Sequence, residues 1–368
     1  MKILLLSCGT GEGHNSAAHA IAEQLAAKNI AYVLADPVSF GSEKAQKIVS
    51  ASYNQMIKKI PGAFGAIYKM GDLYSSTKLT SPVYFANSLY ADNLKSYLEE
   101  NGFDAVICTH LFGMEAMTAI YNKTDCRTPC YGVLTDYTCV PFFAETKLSG
   151  YFIPHEDLRR EMIEKGIPDE RIFCTGIPVS QKFSHHTAKA AARNYLVIPH
   201  TRKVLLLMSG GIGCGHITEL CDEVIRQMEG DYTAYVLVGR NTDLKEKVEE
   251  RYKNAGNIRA VTFTEKVDLY MNAADVMISK PGGLSSTEAA VANIPLVHML
   301  AFSGCETKNA AFFASHGMSV RAKTAKAAVA AARELIFDRE KAEEMCNKQR
   351  TGIPADAAEK IVERVIMS

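Results

Sequence analysis

The chain has 368 residues, 47% of them hydrophobic, and its 41 Lys and Arg are balanced by 41 Asp and Glu. Single cores rarely grow past about 250–300 residues, so the length points to two domains, and the apolar fraction argues against disorder. Zero net charge argues against a generic nucleic-acid coat, which needs a basic excess to neutralise phosphate.

In chain order, short apolar runs predict strands at Lys2–Leu6, Ala31–Ala35, Ala105–Thr109, Cys130–Leu134, Gly150–Ile153 and Ile172–Thr175. A second series follows at Lys203–Met208, Thr233–Val238, Ile258–Val261, Val276–Ser279 and Leu296–His298. Helical periodicity lies between them, as at Ser16–Lys28, Thr218–Met228, Asp243–Asn254 and Ser286–Ala292. Alternating strands and helices, with strands apolar on both faces, read as α/β with parallel sheets. No strand pattern appears from Pro178 to Pro199, and the two halves open alike, LLLSCGTGEGH and LLLMSGGIGCGH. The expectation is therefore two Rossmann-like domains facing across a cleft, 1–185 and 186–354. An amphipathic end, 355–368, is suited to packing back on the first.

None of the ten cysteines forms a C-x-x-C pair, and most sit in apolar runs such as VICTH and RIFCTG. They read as reduced core thiols rather than zinc ligands or a redox motif. The apolar run of MKILLLSCGTGEGH is too short for a signal peptide, and no stretch approaches the ~18 apolar residues of a membrane span. These features predict a cytoplasmic protein that meets any membrane from its surface.

Gly9, Gly11 and Gly13 sit at a strand-to-helix turn, where a backbone can approach a ligand closely and a helix N-terminus favours negative charge. The spacing is G-x-G-x-G rather than the dinucleotide G-x-G-x-x-G, although Asp36 ends the second strand where a ribose-binding acid would sit. Turn geometry does not require His14, whose near-neutral pKa suits a general base. The second loop, with Gly210, Gly211 and Gly213, fits a diphosphate cradle and lacks the G-K-[ST] of a P-loop. Thr109-His110 and Thr135-Asp136 each end a strand, where open α/β sheets bind ligands. In SKPGGLSSTEA, spanning Lys280, Gly282, Gly283 and Glu288, two readings stand side by side. Ser285 and Glu288 form a capping box, or Glu288 holds a ligand diol. Gly304–Ala310 is a polar cluster after the strand PLVHM.

These segments resemble a known family. SCGTGEGHNSAAHAIAEQL is similar to the opening of the monogalactosyldiacylglycerol synthases and processive diacylglycerol glucosyltransferases of glycosyltransferase family 28. GVLTDYTCVPFF with GIPDERIFCTGIPV resembles their first-domain end, and SKPGGLSSTEA with GCETKNAAFF their donor-site signature. The resemblance implies a GT-B fold, a UDP-sugar in the second domain and a lipid acceptor in the first. Transfer would invert the anomeric centre without metal or cofactor. It also implies roles. Glu288 holds the ribose diol, Phe263 flanks uracil and Thr264 offers backbone contacts to the base. Glu306 and Asn309 lie near the sugar, and His14 is the base, with Asp136 the second candidate. Gly11, Gly13, Thr109 and His110 fall on the acceptor side. Two departures stand out: Cys305 replaces the family's frequent Gln, and Ile212 replaces a phosphate-binding serine of a more distant relative.

An independent feature concerns the acceptor. From Lys44 to Pro82 there are six lysines (44, 47, 58, 59, 69, 78) and one acid, Asp72, interleaved with Tyr53, Phe64, Tyr68 and Tyr74. Such a stretch, with Lys58, Lys59, Phe64, Tyr68 and Lys69 at its centre, suits an anionic membrane surface. The leading expectation is an enzyme peripheral to the inner face of the cell membrane that moves a hexose from a UDP-sugar to a lipid such as diacylglycerol. It would have no nucleic-acid partner. A UDP-GlcNAc 2-epimerase and a non-catalytic nucleotide-sugar-binding module are the alternatives.

Overall fold

The computed structural model describes residues 1–9, 12–41, 81–140, 142–210, 217–299 and 304–368. Gly11, Gly211, Gly213 and the proposed membrane residues Lys58, Lys59, Phe64, Tyr68 and Lys69 lie outside them. The chain forms two compact units. The first takes in Met1–Ser180 and Ala355–Ser368, the second the greater part of 181–354.

In the first unit six parallel strands run in the order β2–β1–β3–β4–β5–β6. They are β1 (Lys2–Leu6), β2 (Ala31–Ala35), β3 (Ala105–Cys108), β4 (Cys130–Val133), β5 (Gly150–Ile153) and β6 (Ile172–Cys174). Its helices are α1 (Glu12–Ala27), α2 (Pro82–Ser88), α3 (Ala91–Asn101), α4 (Leu111–Lys123), α5 (Arg159–Glu164) and, from the chain's end, α14 (Ala357–Ile366). Ile3 to Leu6 are wholly buried because both faces of the sheet are covered, which is why β1 is an unbroken apolar run. On one face Ile3, Leu5 and Ile107 pack with Ile21 and Leu25 of α1 and with Ile361, Val362 and Val365 of α14. On the other, Leu4, Leu6 and Val106 pack with Leu94 of α3 and Met117 and Ile120 of α4. Lys28 adds exposed ion pairs to Glu359 and Glu363 at 3.5 and 3.2 Å, which contribute little in water.

A carboxyl is buried in this core among neutral polar groups such as Asn87 and Thr118. Glu115 of α4 accepts a hydrogen bond from the Asn87 amide on Oε2, and its Oε1 is buried without a partner among the described residues. Burial raises its pKa to about 8, opposed by the Asn87 bond. A carboxyl raised in the folded state contributes stability that is complete below its unfolded pKa near 4.5 and lost as pH rises toward 8. Chemical denaturation of Glu115→Gln is therefore expected to show a flatter stability profile between pH 5 and 9 than wild type, with the variant relatively stabilised at pH 9.

The second unit's sheet has the order β12–β11–β10–β7–β8–β9, all parallel, the order of dinucleotide-binding sheets. Its strands are β7 (Lys203–Met208), β8 (Tyr232–Gly239), β9 (Ile258–Thr262), β10 (Val276–Ser279), β11 (Leu296–Met299) and β12 (Val320–Ala322). Its helices are α6 (Lys189–Tyr195), α7 (Ile217–Gln227), α8 (Thr242–Tyr252), α9 (Val267–Ala273), α10 (Gly283–Val291), α11 (Cys305–Ser315), α12 (Ala325–Phe337) and α13 (Arg339–Gly352).

All eleven expected strands appear, each end within one residue. The twelfth, β12, was not anticipated: it is a three-residue edge strand centred on an exposed arginine. Six of the nine described cysteines are buried, but Cys174 is exposed rather than in a core, because β6 is the sheet edge. No helix among the described residues is long and apolar enough to cross a membrane.

Candidate active site

Open parallel sheets bind ligands beyond their strand carboxyl ends, where strand order reverses. In the first sheet that point lies between β1 and β3, in the second between β7 and β10. His14 and Thr109 lie by the first of these places and Gly210 and Lys280 by the second, whereas Phe263 and Thr264 follow the edge strand β9.

In the first unit α1 begins at Glu12, four residues before the expected start, so Gly13 and His14 sit in its first turn rather than in a loop. The His14 Nδ1 lies 2.8 Å from the carbonyl oxygen of Thr109 and 3.0 Å from the Thr135 hydroxyl. A carbonyl only accepts, so Nδ1 carries the ring proton and Nε2 presents the lone pair, the tautomer a general base needs. The Thr109 hydroxyl donates back to the His14 carbonyl at 3.0 Å. Burial lowers the His14 pKa below its ordinary value, while the Asp136 carboxylate and the Thr109 carbonyl raise it again. The His110 ring stands edge-on at 4.5 Å and is held neutral, mainly by burial and further by His14.

Thr109 and His110, expected among the acceptor contacts, are both buried. Thr109 fixes the histidine, and His110 caps α4 by accepting the Phe112 amide. Thr135 was passed over as a strand end, although its position beside Asp136 was the available signal. Asp36 does not support a dinucleotide: its carboxylate accepts from the amides of Gly9 (3.2 Å) and Val38 (2.9 Å) and so ties down the turn.

In the second unit Gly210 follows β7 at φ +76°, and a Cβ there would lie 2.7 Å from Cε of Lys280. The left-handed φ is what favours glycine here, since the Lys280 terminus is flexible enough to shift. Gly210→Ala is expected to lower stability by about 1–2 kcal/mol from the left-handed conformation alone, which thermal melts read, and to push the Lys280 side chain from its place. The Lys280 ammonium pairs with Glu306 Oε1 at 2.8 Å, while Glu306 Oε2 is buried without a partner among the described residues. Asn309 is fully buried and donates to the Pro281 carbonyl at 3.1 Å, which fixes the loop between β10 and α10.

The helix α10 starts at Gly283 with Gly282 as its cap, earlier than expected. Its first amides follow directly on Lys280 and form an anion-favouring end. The capping-box reading is thereby overturned. Ser285 lies inside the first turn, its hydroxyl toward the Gly282 carbonyl, and Glu288 is too far along the helix to cap it. Glu288 is half-buried, and burial raises its pKa to about 7 against the opposing charge of Lys182. Beyond β9, Phe263 is exposed with the Arg240 guanidinium 4.7 Å over its ring. The Thr264 hydroxyl accepts from the Lys266 amide at 3.1 Å. Arg240 and Lys182 were missed. Arg240 directly follows the last glycine of β8, a position that could have flagged it, whereas nothing in the sequence signals Lys182.

Residues 14–179 match the family model of monogalactosyldiacylglycerol (MGDG) synthase, and residues 204–362 match the glycosyltransferase family 28 C-terminal domain. The chain belongs to glycosyltransferase family 28. The chain is similar to the processive diacylglycerol beta-glucosyltransferase of Bacillus pumilus, 23% identical, the match covering 99% of this chain and 94% of that protein. The protein of that name from Bacillus cytotoxicus is 26% identical over 87% and 81%. Solved structures show the same fold at low identity. Acinetobacter baumannii MurG has a TM-score of 0.67 at 16% identity, covering 100% of this chain and 99% of that one. UDP-GlcNAc 2-epimerase from Neisseria meningitidis, bound to UDP-GlcNAc, has a TM-score of 0.64 at 15% identity, covering all of both chains. The fold of this family 28 member is GT-B, as the resemblance implied.

Proposed function

We propose that the protein is an inverting hexosyltransferase that moves a sugar from a UDP-sugar to the free hydroxyl of diacylglycerol at a membrane surface. The observation that carries this reading is His14, held neutral with its lone pair on Nε2, in the half of the chain that matches the MGDG synthase model. Nε2 takes the acceptor hydroxyl proton, and Asp136 stabilises the imidazolium that forms. The acceptor oxygen then bonds to the sugar C1 as the bond from C1 to the UDP oxygen breaks on the opposite side, which inverts the centre. The second unit holds the donor. Glu288 accepts from the ribose diol, Phe263 stacks on uracil, and Lys280 with the α10 amides meets the diphosphate and its developing charge. This reading calls on no bound metal.

The membrane part of the proposal rests on the lysine-rich stretch and on Phe85 and Leu89, which are 60% and 70% exposed just beyond it. Glucose is the sugar to try first, because it is the one in the relatives' names. Likeness to the epimerase stops at the fold and lends that alternative no support. UDP release should require both a UDP-hexose and vesicles carrying diacylglycerol and anionic lipid. It should persist in EDTA and yield a product heavier than diacylglycerol by one hexose unit or more. Lipid-independent turnover, or none with any hexose donor, would overturn the reading.

A further inference from the structure

The second unit opens with a short turn, Gln181–Phe183, ahead of its first helix. Phe183 is buried and anchors the turn, which packs on α10, the helix that carries Glu288. Lys182 is half-buried, and its ammonium donates to the Glu265 carbonyl at 2.8 Å. Glu265 lies in the link from β9 to α9, directly after Phe263 and Thr264. One side chain therefore reaches from the helix with the ribose carboxylate to the link with the base-holding residues.

That link has a second tie, since the Lys266 ammonium bonds the Tyr195 hydroxyl of α6. The two lysines differ in what their charges do. Lys266 does not act on Glu288, whereas the charge of Lys182 opposes the burial of that carboxyl. Lys182 pairs with no carboxylate among the described residues. A carbonyl takes its proton without cancelling its charge, in contrast to Lys280, which is paired with Glu306. No other element packed on α10 supplies such a charge. β10 has no ionisable residue, and α13 buries Met345, Cys346 and Gln349 while keeping its charged side chains exposed. β11 contributes His298, which bonds Ser286 and is neutral because burial lowers its pKa to about 3.

We propose that Lys182 is a positioning residue of the nucleotide site: its hydrogen bond to Glu265 sets the base-holding link, and its charge keeps Glu288 an acceptor for the ribose diol. The inference rests on the reading of the second unit as the UDP-sugar site. Lys182 acts through Glu265 and Glu288 and touches no reacting atom. Removing an opposite charge raises the pKa of a carboxyl. Without Lys182 the Glu288 midpoint, about 7 in the wild type, should move up, and the rise of UDP affinity with pH should move up with it.

Calorimetry of UDP binding to the full chain between pH 6 and pH 9 tests this. Lys182→Met should bind UDP roughly fivefold more weakly than wild type at pH 7 and return toward it at pH 9, as a rise of about one unit at Glu288 gives. Lys182→Arg keeps both the donor and the charge and should keep the wild-type profile. In a Glu288→Gln background, Lys182→Met should leave the pH profile unmoved. Titration of the UDP phosphates is common to all variants and cancels in these ratios. The proposal fails if Lys182→Met matches wild type at every pH, if it loses affinity equally at every pH, or if its pH-dependent loss survives in Glu288→Gln. A wild type that bound no UDP would instead overturn the donor reading, and this inference with it.

Discussion

Replacing His14 with alanine is expected to lower kcat by about 10²–10⁴, the range that a positioned general base supplies, while UDP affinity stays at its wild-type value. The tautomer argument makes the test sharper than a loss of activity. In the wild type the acid limb of kcat/KM should fall below the ordinary histidine pKa, because burial disfavours the imidazolium. Asp136→Asn removes the charge that raises the His14 pKa, so its acid limb should move to still lower pH as its maximal rate drops. Thr109 holds the ring through its backbone, so Thr109→Val should keep the tautomer and lose only the hydroxyl's bond to the His14 carbonyl. Full activity in His14→Ala, with Asp136→Asn inactive, would transfer the base to Asp136.

Glu288→Gln should weaken UDP binding by about 10–100-fold, since hydrogen bonds to a charged group contribute roughly 1.5–3 kcal/mol. The pH dependence identifies the cause. The free carboxyl titrates near pH 7 because burial raises it, and the ribose diol, a donor pair, favours the ionised form. Affinity should therefore be greatest above pH 7 and fall by up to tenfold per unit as pH drops through 7, levelling where the bound carboxyl itself takes a proton. In Glu288→Gln that slope should vanish. A slope that survived would belong to the UDP phosphates or to another group.

The strands were legible because a parallel sheet covered on both faces writes itself as short continuous apolar runs, as in β1 and β7. What the residues around His14 and Glu288 do was less legible. The glycine spacings announced two ligand-facing turns, but G-x-G-x-G does not say that the helix starts before His14 and carries it inward. Ser285-x-x-Glu288 satisfied the capping-box pattern and misled, because Gly282 had already capped the helix. Thr109 and His110 have the chemistry of ligand contacts, and only burial and hydrogen-bond direction show Thr109 fixing the histidine and His110 capping α4. Such distinctions depend on residues brought together from β1, β3 and β4, and pattern along one chain does not carry them.

The last helix has a bearing on how the protein is made. Ile361, Val362 and Val365 are buried in the first unit's core, and each such side chain contributes about 1.5–3 kcal/mol on burial. Together they rival the whole net stability of an ordinary domain. A nascent chain therefore cannot finish the unit that holds His14 until residues 361–365 have left the ribosome, although that unit's sheet is synthesised first. Chains cut between Pro354 and Ile361 would have the complete first sheet yet an open hydrophobic face, the kind of exposed surface that proteases and aggregation find first.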